Sequence, residues 1–374
     1  MKAFKFKIIN PPKKIIAKFE NWLAICCELY NAGLQERRDA WRIERKTVSC
    51  YKQQAELPEL KQIRSDVAEV NAQVLTDVLK RVEKTYKSFF NRIKRNEKAG
   101  FPRFKSQNRY DSFTYPQDNY AFSLNGNKLT LSKIGTVKIK LSRQLTGKIK
   151  TCTVKREISG WFVIFVVEDK PQPLPKTNKA IGIDVGIENF LALSDGTQVE
   201  NARHFAVLQK KLRILQRSVS RKKKNSNRRR KAVLKLKKTH LKIRNARADF
   251  QHKVSRYLVD SFDLMAIEKL NIKGLSRGFL SKQIYDVAWS DFFQKLRYKA
   301  EEAGREVIEV NPRGTSQTCL CGQRVEKTLA DRWHNCLNCG LSEHRDIVSA
   351  KVILNLAVGQ TVQNVTYASR QSVF

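Results

Sequence analysis

Three acidic residues stand far apart in this chain, two closing apolar runs and one opening an amphipathic stretch. Asp184 closes Ala180-Ile-Gly-Ile-Asp184, Glu268 closes Leu264-Met-Ala-Ile-Glu268, and Asp346 precedes the stretch Ile347 to Leu356. Two carboxylates delivered by strands and one by a helix can converge to hold divalent metal beside a phosphodiester. Two Mg²⁺ ions roughly 3.5–4 Å apart would activate water and stabilise the leaving oxygen, and carboxylates suit them because Mg²⁺ takes hard oxygen ligands. Gly182 and Gly186 flank the first acid and are expected to leave room there for metal and backbone. Any one of these acids alone, Glu268 above all, reads more readily as a surface carboxylate. The signal is the set.

A second cluster follows: Cys319-Leu-Cys321-Gly and Cys336-Leu-Asn-Cys339-Gly. Paired thiolate knuckles of this kind hold one tetrahedral Zn²⁺, and four protein ligands leave no open position, so the ion would be structural. The first pair is C-x-C, one residue short of the usual spacing, and its knuckle must be tighter. His334 lies close enough in sequence to replace one sulfur, and four reduced thiols without metal are the plain alternative. Cys26, Cys27, Cys50 and Cys152 have no partner at metal spacing and read as small apolar residues.

Charge names the substrate class. Lys and Arg total 73 against 35 Asp and Glu, a formal net charge of +38, so a polyanion is the natural partner. The densest run is Gln209 to Arg247, with Arg221, Lys222, Lys223 and Lys224 and then Arg228, Arg229, Arg230 and Lys231. So uniform a sign destabilises an isolated helix by repulsion, and phosphate contact is the expected use of these eight residues. No apolar run reaches the ~20 residues that span a bilayer. Asn10-Pro11-Pro12 interrupts the basic first segment before any signal-like core forms. A cytoplasmic, nucleoid-associated protein of a bacterium or archaeon is expected, with neither a membrane nor a small molecule as partner.

The elements that must position these residues are legible from periodicity. Residues 2–9 alternate apolar and basic as a strand. From Lys14 to about Arg95 the pattern is helical, with Val67, Val70, Val74, Val78, Val82 and Phe89 forming one stripe. Short alternating segments follow, with a hairpin signal at Asn125-Gly126; a small β-barrel that includes the first strand accounts for them. Pro171-Gln-Pro-Leu-Pro175 is the clearest linker. Beyond it come strands 179–184 and 190–194, long helices over 203–260, strand 263–267, a helix around 288–303 and strand 306–310. The cysteines and a closing helix complete an α/β pattern.

With these motifs in hand the chain resembles the TnpB family of insertion-sequence proteins, relatives of type V CRISPR effectors. The resemblance runs nearly the whole length through Gly100-Phe-Pro-Arg-Phe-Lys, Tyr110-Asp-Ser-Phe-Thr-Tyr-Pro116, Gly182-Ile-Asp-Val-Gly186, Glu268-Lys-Leu-Asn271, Thr315-Ser-Gln-Thr-Cys319 and Arg345-Asp346. It implies a RuvC-like nuclease domain of RNase H fold over 173–312 and 342–358, with a zinc ribbon inserted over 313–341. It further implies a wedge-like β-barrel over 1–10 and 98–172 and a helical recognition domain over 11–97; residues 359–374 are expected to be a disordered tail. The implied activity is cleavage of double-stranded DNA paired to a transposon-encoded guide RNA, beside a short adjacent motif. Asp184, Glu268 and Asp346 would fill the family's three acidic positions. The alternatives are a guided DNA-binding regulator that does not cut and an accessory DNA-binding protein of transposition. Two departures stand out: the C-x-C knuckle, and Val348-Ser349-Ala350 where the family usually carries Asn-Ala-Ala, which removes an amide near the metal. His344 stands where an acid is common and reads as a positioning group.

Overall fold

The structure is a computed structural model. It describes every residue except 118–120, 170, 172, 329–330 and 372–374, and the side chains of all the described residues except 273 and 360–371. The chain divides into two compact units, Met1–Lys170 and Pro171–Phe374, and the division falls where the proline-rich stretch begins.

The first unit starts with β1 (Lys2–Ile9), then α1 (Lys13–Glu44), three short helices α2 (Cys50–Ala55), α3 (Leu57–Ile63) and α4 (Ser65–Ala68), and α5 (Ala72–Lys94). Strands β2 (Ser112–Tyr115), β3 (Phe122–Asn125), β4 (Lys128–Leu131), β5 (Gly135–Lys140), β6 (Lys148–Glu157) and β7 (Gly160–Glu168) follow. They join β1 in one seven-stranded sheet, ordered β2-β6-β7-β1-β5-β4-β3, with every pair antiparallel. The sheet rolls until its edges approach: Tyr115 of β2 faces Phe122 of β3 with ring centroids 6.3 Å apart, and its hydroxyl donates to the Ser132 carbonyl at 3.0 Å. Helices and sheet share one core, in which Phe19 and Trp22 of α1 meet Phe113 and Tyr115. Of the expected valine stripe, Val67, Val70, Val74, Val78 and Val82 are buried there. Arg81 of α5 donates to the Ser112 carbonyl and the Thr114 hydroxyl, at 2.8 and 2.7 Å, and so fastens helix to sheet.

The second unit contains β8 (Ala180–Val185), β9 (Asn189–Leu193), β10 (Gln198–Glu200), α6 (His204–Ser220), α7 (Asn227–Ser261), β11 (Leu264–Glu268), α8 (Ile272–Leu275), α9 (Ser281–Val287), α10 (Trp289–Ala303) and β12 (Glu306–Val310). A small hairpin, β13 (Trp333–Asn335) and β14 (Ser342–His344), leads into α11 (Arg345–Gln371). Five strands form the sheet in the order β10-β9-β8-β11-β12, antiparallel from β10 to β8 and parallel from β8 to β12. One face of the sheet presents Ile181, Ile183, Met265 and Ile267 to α7 and α10, whose Leu258, Val259, Phe292 and Leu296 are buried against them. On the other face Ala266 and Val310 pack against Ile353 and Ala357 of α11. The three-layer α/β arrangement follows from strands that are apolar on both faces. The expected tail over 359–374 falls largely outside the described side chains, although the helical backbone continues to Gln371.

The segment after the division is tied down by a buried cation. Arg305 donates to the Val259 carbonyl at 3.1 Å and the Pro175 carbonyl at 2.8 Å, and pairs with Asp263. Asp263 in turn accepts the backbone N–H groups of Thr177 and Asn178, at 2.9 and 2.7 Å, and these hold its carboxyl below the usual range.

Candidate active site and metal centre

Register brings the first two acids together. Ile267 pairs with Ile183 across parallel β11 and β8, so the next residues, Glu268 and Asp184, stand side by side at the strand ends, about 4.8 Å apart at the backbone. Side chains alternate along a strand, so both carboxylates lie on the face that carries Gly182 and Ala266, the face covered by α11.

The third acid arrives because Gly182 has no side chain. A β-carbon there would lie 1.9 Å from the Ala350 carbonyl oxygen and 2.9 Å from the Leu354 β-carbon, so α11 rests directly on the β8 backbone. Asp346 is four residues before Ala350, one turn along the same helix face, which carries it from Gly182 toward Asp184. Both glycines therefore make room for backbone, as expected. Gly182 makes room for a helix carbonyl. Gly186 makes room for the Asn189 carbonyl oxygen on the turn into β9, which would stand 2.7 Å from any β-carbon at that position.

Electrostatics records the convergence. Burial pushes the Asp184 carboxyl well above the carboxylate range, and the charges of Glu268 and Asp346 push it further. Burial also raises Glu268, against the hydroxyl of Thr315, which donates to its carboxylate. Asp346 pairs with Arg345 at 3.0 Å, and its backbone N–H donates to Nδ1 of His344 at 3.3 Å. His344 thus caps the first turn of α11. Three carboxylates gathered around a single paired guanidinium, Arg345, have the chemistry of a donor set for divalent cations, and the two raised acids fit that use. They are less tightly drawn than the thiols: among the described residues, only the cysteines bring ligand atoms all within 4.8 Å of one another.

Those thiols are Cys319, Cys321, Cys336 and Cys339. Sγ of Cys319 lies 3.6 Å from that of Cys339, and Sγ of Cys321 lies 3.7 Å from that of Cys336. A Zn–S bond of about 2.3 Å gives a tetrahedron edge of about 3.8 Å, so the site has the size of one zinc ion. The short knuckle closes with the Gly322 N–H on the Cys319 carbonyl, three residues back, whereas the Gly340 N–H reaches Cys336, four residues back, both at 2.9 Å. Both glycines have positive φ, +85° and +73°, which a β-carbon would resist. The Gln323 N–H and the Asn338 amide hold the Cys321 thiol down to about 6, while burial pushes Cys319 up to about 12. His334 is excluded from the ligand group. It is fully buried on β13, and its Nδ1 lies 2.6 Å from the Lys327 ammonium. Of the remaining thiols, Cys26, Cys27 and Cys152 are buried and Cys50 is half-buried.

Arg221, Lys222, Lys223 and Lys224 form the turn between α6 and α7, and Arg228, Arg229, Arg230 and Lys231 occupy the first turns of α7. All are exposed or half-buried, and the sequence holds no acid between Glu200 and Asp249. The Ser226 hydroxyl caps α7 by accepting the Arg229 N–H at 3.2 Å. The apolar residues buried along this pair are Leu212 on α6 and Ala232, Ile243, Leu258 and Val259 on α7.

Two family models match the second unit and its approach. One, described as "Probable transposase", covers residues 164–278, and the other, a Cas12f1-like TNB domain, covers 289–353. Over nearly full length, the chain is 30% identical to "Putative RNA-guided DNA endonuclease InsQ" of Escherichia coli K12, spanning 97% of this chain and 95% of that one. The chain belongs to the TnpB family. A Streptomyces pristinaespiralis relative named "Putative RNA-guided DNA endonuclease" is 32% identical over 94% of this chain and 88% of its own length. Among solved structures, the mini-RNA-guided endonuclease CRISPR-Cas_phi3 shares the fold, with a TM-score of 0.59 at 11% identity over 96% of this chain and 92% of that one. Within this TnpB chain, sequence reasoning missed Thr315 and Arg345 as partners of the acids. Both lie inside the family motifs, but nothing in their types shows which carboxylate each would meet.

Proposed function

We propose that this chain is an RNA-guided, Mg²⁺-dependent endonuclease that cuts double-stranded DNA paired to its guide, beside a short adjacent motif. Support comes from membership in the TnpB family, from relatives named as RNA-guided DNA endonucleases, and from the formal net charge of +38. The five-stranded sheet with α11 on one face would be the RuvC-like domain of RNase H fold. The cysteine knuckles would be its inserted zinc ribbon, and the rolled sheet of the first unit the wedge. One observation carries the catalytic reading: the register that sets Glu268 beside Asp184, with Asp346 one helical turn from the Gly182 contact.

In this reading Asp184, Glu268 and Asp346 hold two Mg²⁺ ions. When bound, the ions activate water for in-line attack and neutralise charge building on the phosphoryl and leaving oxygens. The chain's own work is to orient the carboxylates. Thr315 fixes Glu268, His344 starts α11 where Asp346 is in its first turn, and the α6–α7 turn with Arg221 to Lys231 meets phosphates. Base pairing reads the sequence, and the protein reads backbone shape and the adjacent motif. The intact acids weigh against a guided regulator that does not cut.

The test begins with protein purified in the presence of its native downstream DNA, followed by sequencing of the RNA it retains. A discrete RNA whose end matches DNA beyond the element supplies the target, and Asp184→Ala should then abolish cutting while leaving RNA and target bound. Heterogeneous fragments washed away by moderate salt would refute guiding. Joint loss of binding and cutting in the variant would make Asp184 structural.

A further inference from the structure

The last turns of α5 and the segment after it carry an exposed aromatic surface. Phe90, Phe101 and Phe104 are 53, 50 and 47% exposed. The rings brace one another: Phe101 meets Phe89 and Tyr86 edge-on, with centroids 5.4 and 6.1 Å apart, and Tyr86 stacks on Phe90 at 6.4 Å. The segment itself is pinned. The Asn31 amide donates to the Lys105 carbonyl at 2.8 Å and accepts its N–H at 2.9 Å, while the Lys105 ammonium sits over the Tyr30 ring, 4.3 Å from its centroid. Exposed rings on a pinned backbone lose little entropy on binding. Lys94, Arg95, Lys98 and Arg103 are exposed around them, and the nearby acid in sequence, Glu97, is engaged by Arg92.

We propose that this ledge stacks unpaired bases of the RNA the protein carries, an assignment that rests on the guide-RNA reading above. Aromatic faces accept the face of any base, and surrounding cations meet the phosphates between them. A folded RNA displays unstacked bases permanently in loops and bulges, whereas target DNA exposes unpaired bases only once its strands have been opened. A second copy of this chain is disfavoured as occupant, because it would bring its own positive charge against the same basic rim.

The experiment uses the full chain and a fluorescein-labelled RNA transcribed from the sequence recovered with the wild type. Phe90→Leu/Phe101→Leu keeps apolar contact with Tyr86 and Phe89 but removes two stacking faces. RNA affinity should fall roughly 5- to 150-fold for each stacked base lost, with the slope of affinity against salt unchanged, because stacking releases no counterions. Should the double variant unfold, Phe104→Leu serves, since no ring contact of Phe104 is found among the described residues. Unchanged affinity in a variant that melts like the wild type overturns the ledge. Intact RNA binding with impaired target-DNA binding overturns the choice of RNA, and intact RNA binding with loss of a dimer reassigns the surface to a second copy. If the wild type itself holds no discrete RNA, it is the guide-RNA reading that fails.

Discussion

Asp184 is held in the fold at a cost that a divalent cation would relieve. Its carboxyl is raised by burial and by Glu268 and Asp346. A carboxylate whose folded pKa lies above its unfolded value loses stability as pH rises through the unfolded value toward the folded one. Metal-free protein near neutral pH should therefore gain from Asp184→Asn, with Tm rising by about 2–4 °C, the change that ~1 kcal/mol makes in a domain of 150–250 residues. Cleavage should disappear in the same variant, and saturating Mg²⁺ should stabilise the wild type more than the variant. Calorimetry with and without Mg²⁺ checks both; a variant less stable than wild type in chelator would show that Asp184 is compensated some other way. Thr315→Val should act in the opposite sense on Glu268. Loss of the hydroxyl removes the group that favours the ionised form, so cutting should need several-fold more Mg²⁺ and a higher pH, measured as a shift in the half-saturating concentration.

At the scale of elements, the fit of α11 against β8 decides whether the site exists. Gly182→Ala places a β-carbon where the Ala350 carbonyl stands, and a backbone atom cannot swing aside as a side chain can. The variant should lose on the order of 3 kcal/mol by overpacking and should cut far less than its remaining fold explains, because the helix moves with Asp346. A denaturant titration alongside a cleavage assay separates the two losses. The knuckles make a second element-scale case: chelation should release one zinc per chain and lower the protection of β13 and β14 from hydrogen exchange, and rebinding should release protons from thiols such as Cys319. These elements were unequally legible. Strand ends on Asp184 and Glu268 could be read because apolar runs stop there, and the knuckles because thiol spacing is local. The roles of Gly182 and Thr315 could not, since each is defined by a contact with a distant segment. Short-range patterns do not encode such contacts, whereas they do encode a helix such as α10, whose Trp289, Phe292, Phe293, Leu296 and Ala300 recur at helical spacing and are buried.

Across the whole molecule, charge is the dominant property, and the α6–α7 turn is its densest expression. Replacing Arg228, Arg229, Arg230 and Lys231 with Gln should leave stability nearly unchanged, because no ion pair of theirs is found among the described residues and most are exposed. If all four meet phosphates of a duplex, the slope of log affinity against log salt should fall by about 0.9 for each. An unchanged slope would assign that run to solvent alone. Stability at the start of the second unit responds to acid instead. Asp263, held below its ordinary range, contributes stability above its unfolded pKa, and that contribution is lost as pH falls through the folded value. Asp263→Ala, which leaves Arg305 without its carboxylate partner, should lower the melting temperature of this unit at pH 7. The deficit should shrink in strong acid.

The order in which the acids occur along the chain has a consequence for synthesis. Asp184 and Glu268 are laid down early, but Asp346 belongs to the final helix. At ~5–20 residues per second the ribosome needs roughly 4–16 s to pass from Glu268 to Asp346. Throughout that interval the nascent protein already has its basic α6–α7 turn but only two of its three acids. On the proposed mechanism, products that stall before Asp346 would carry the basic helices without the full acid set and should bind nucleic acid without cutting it.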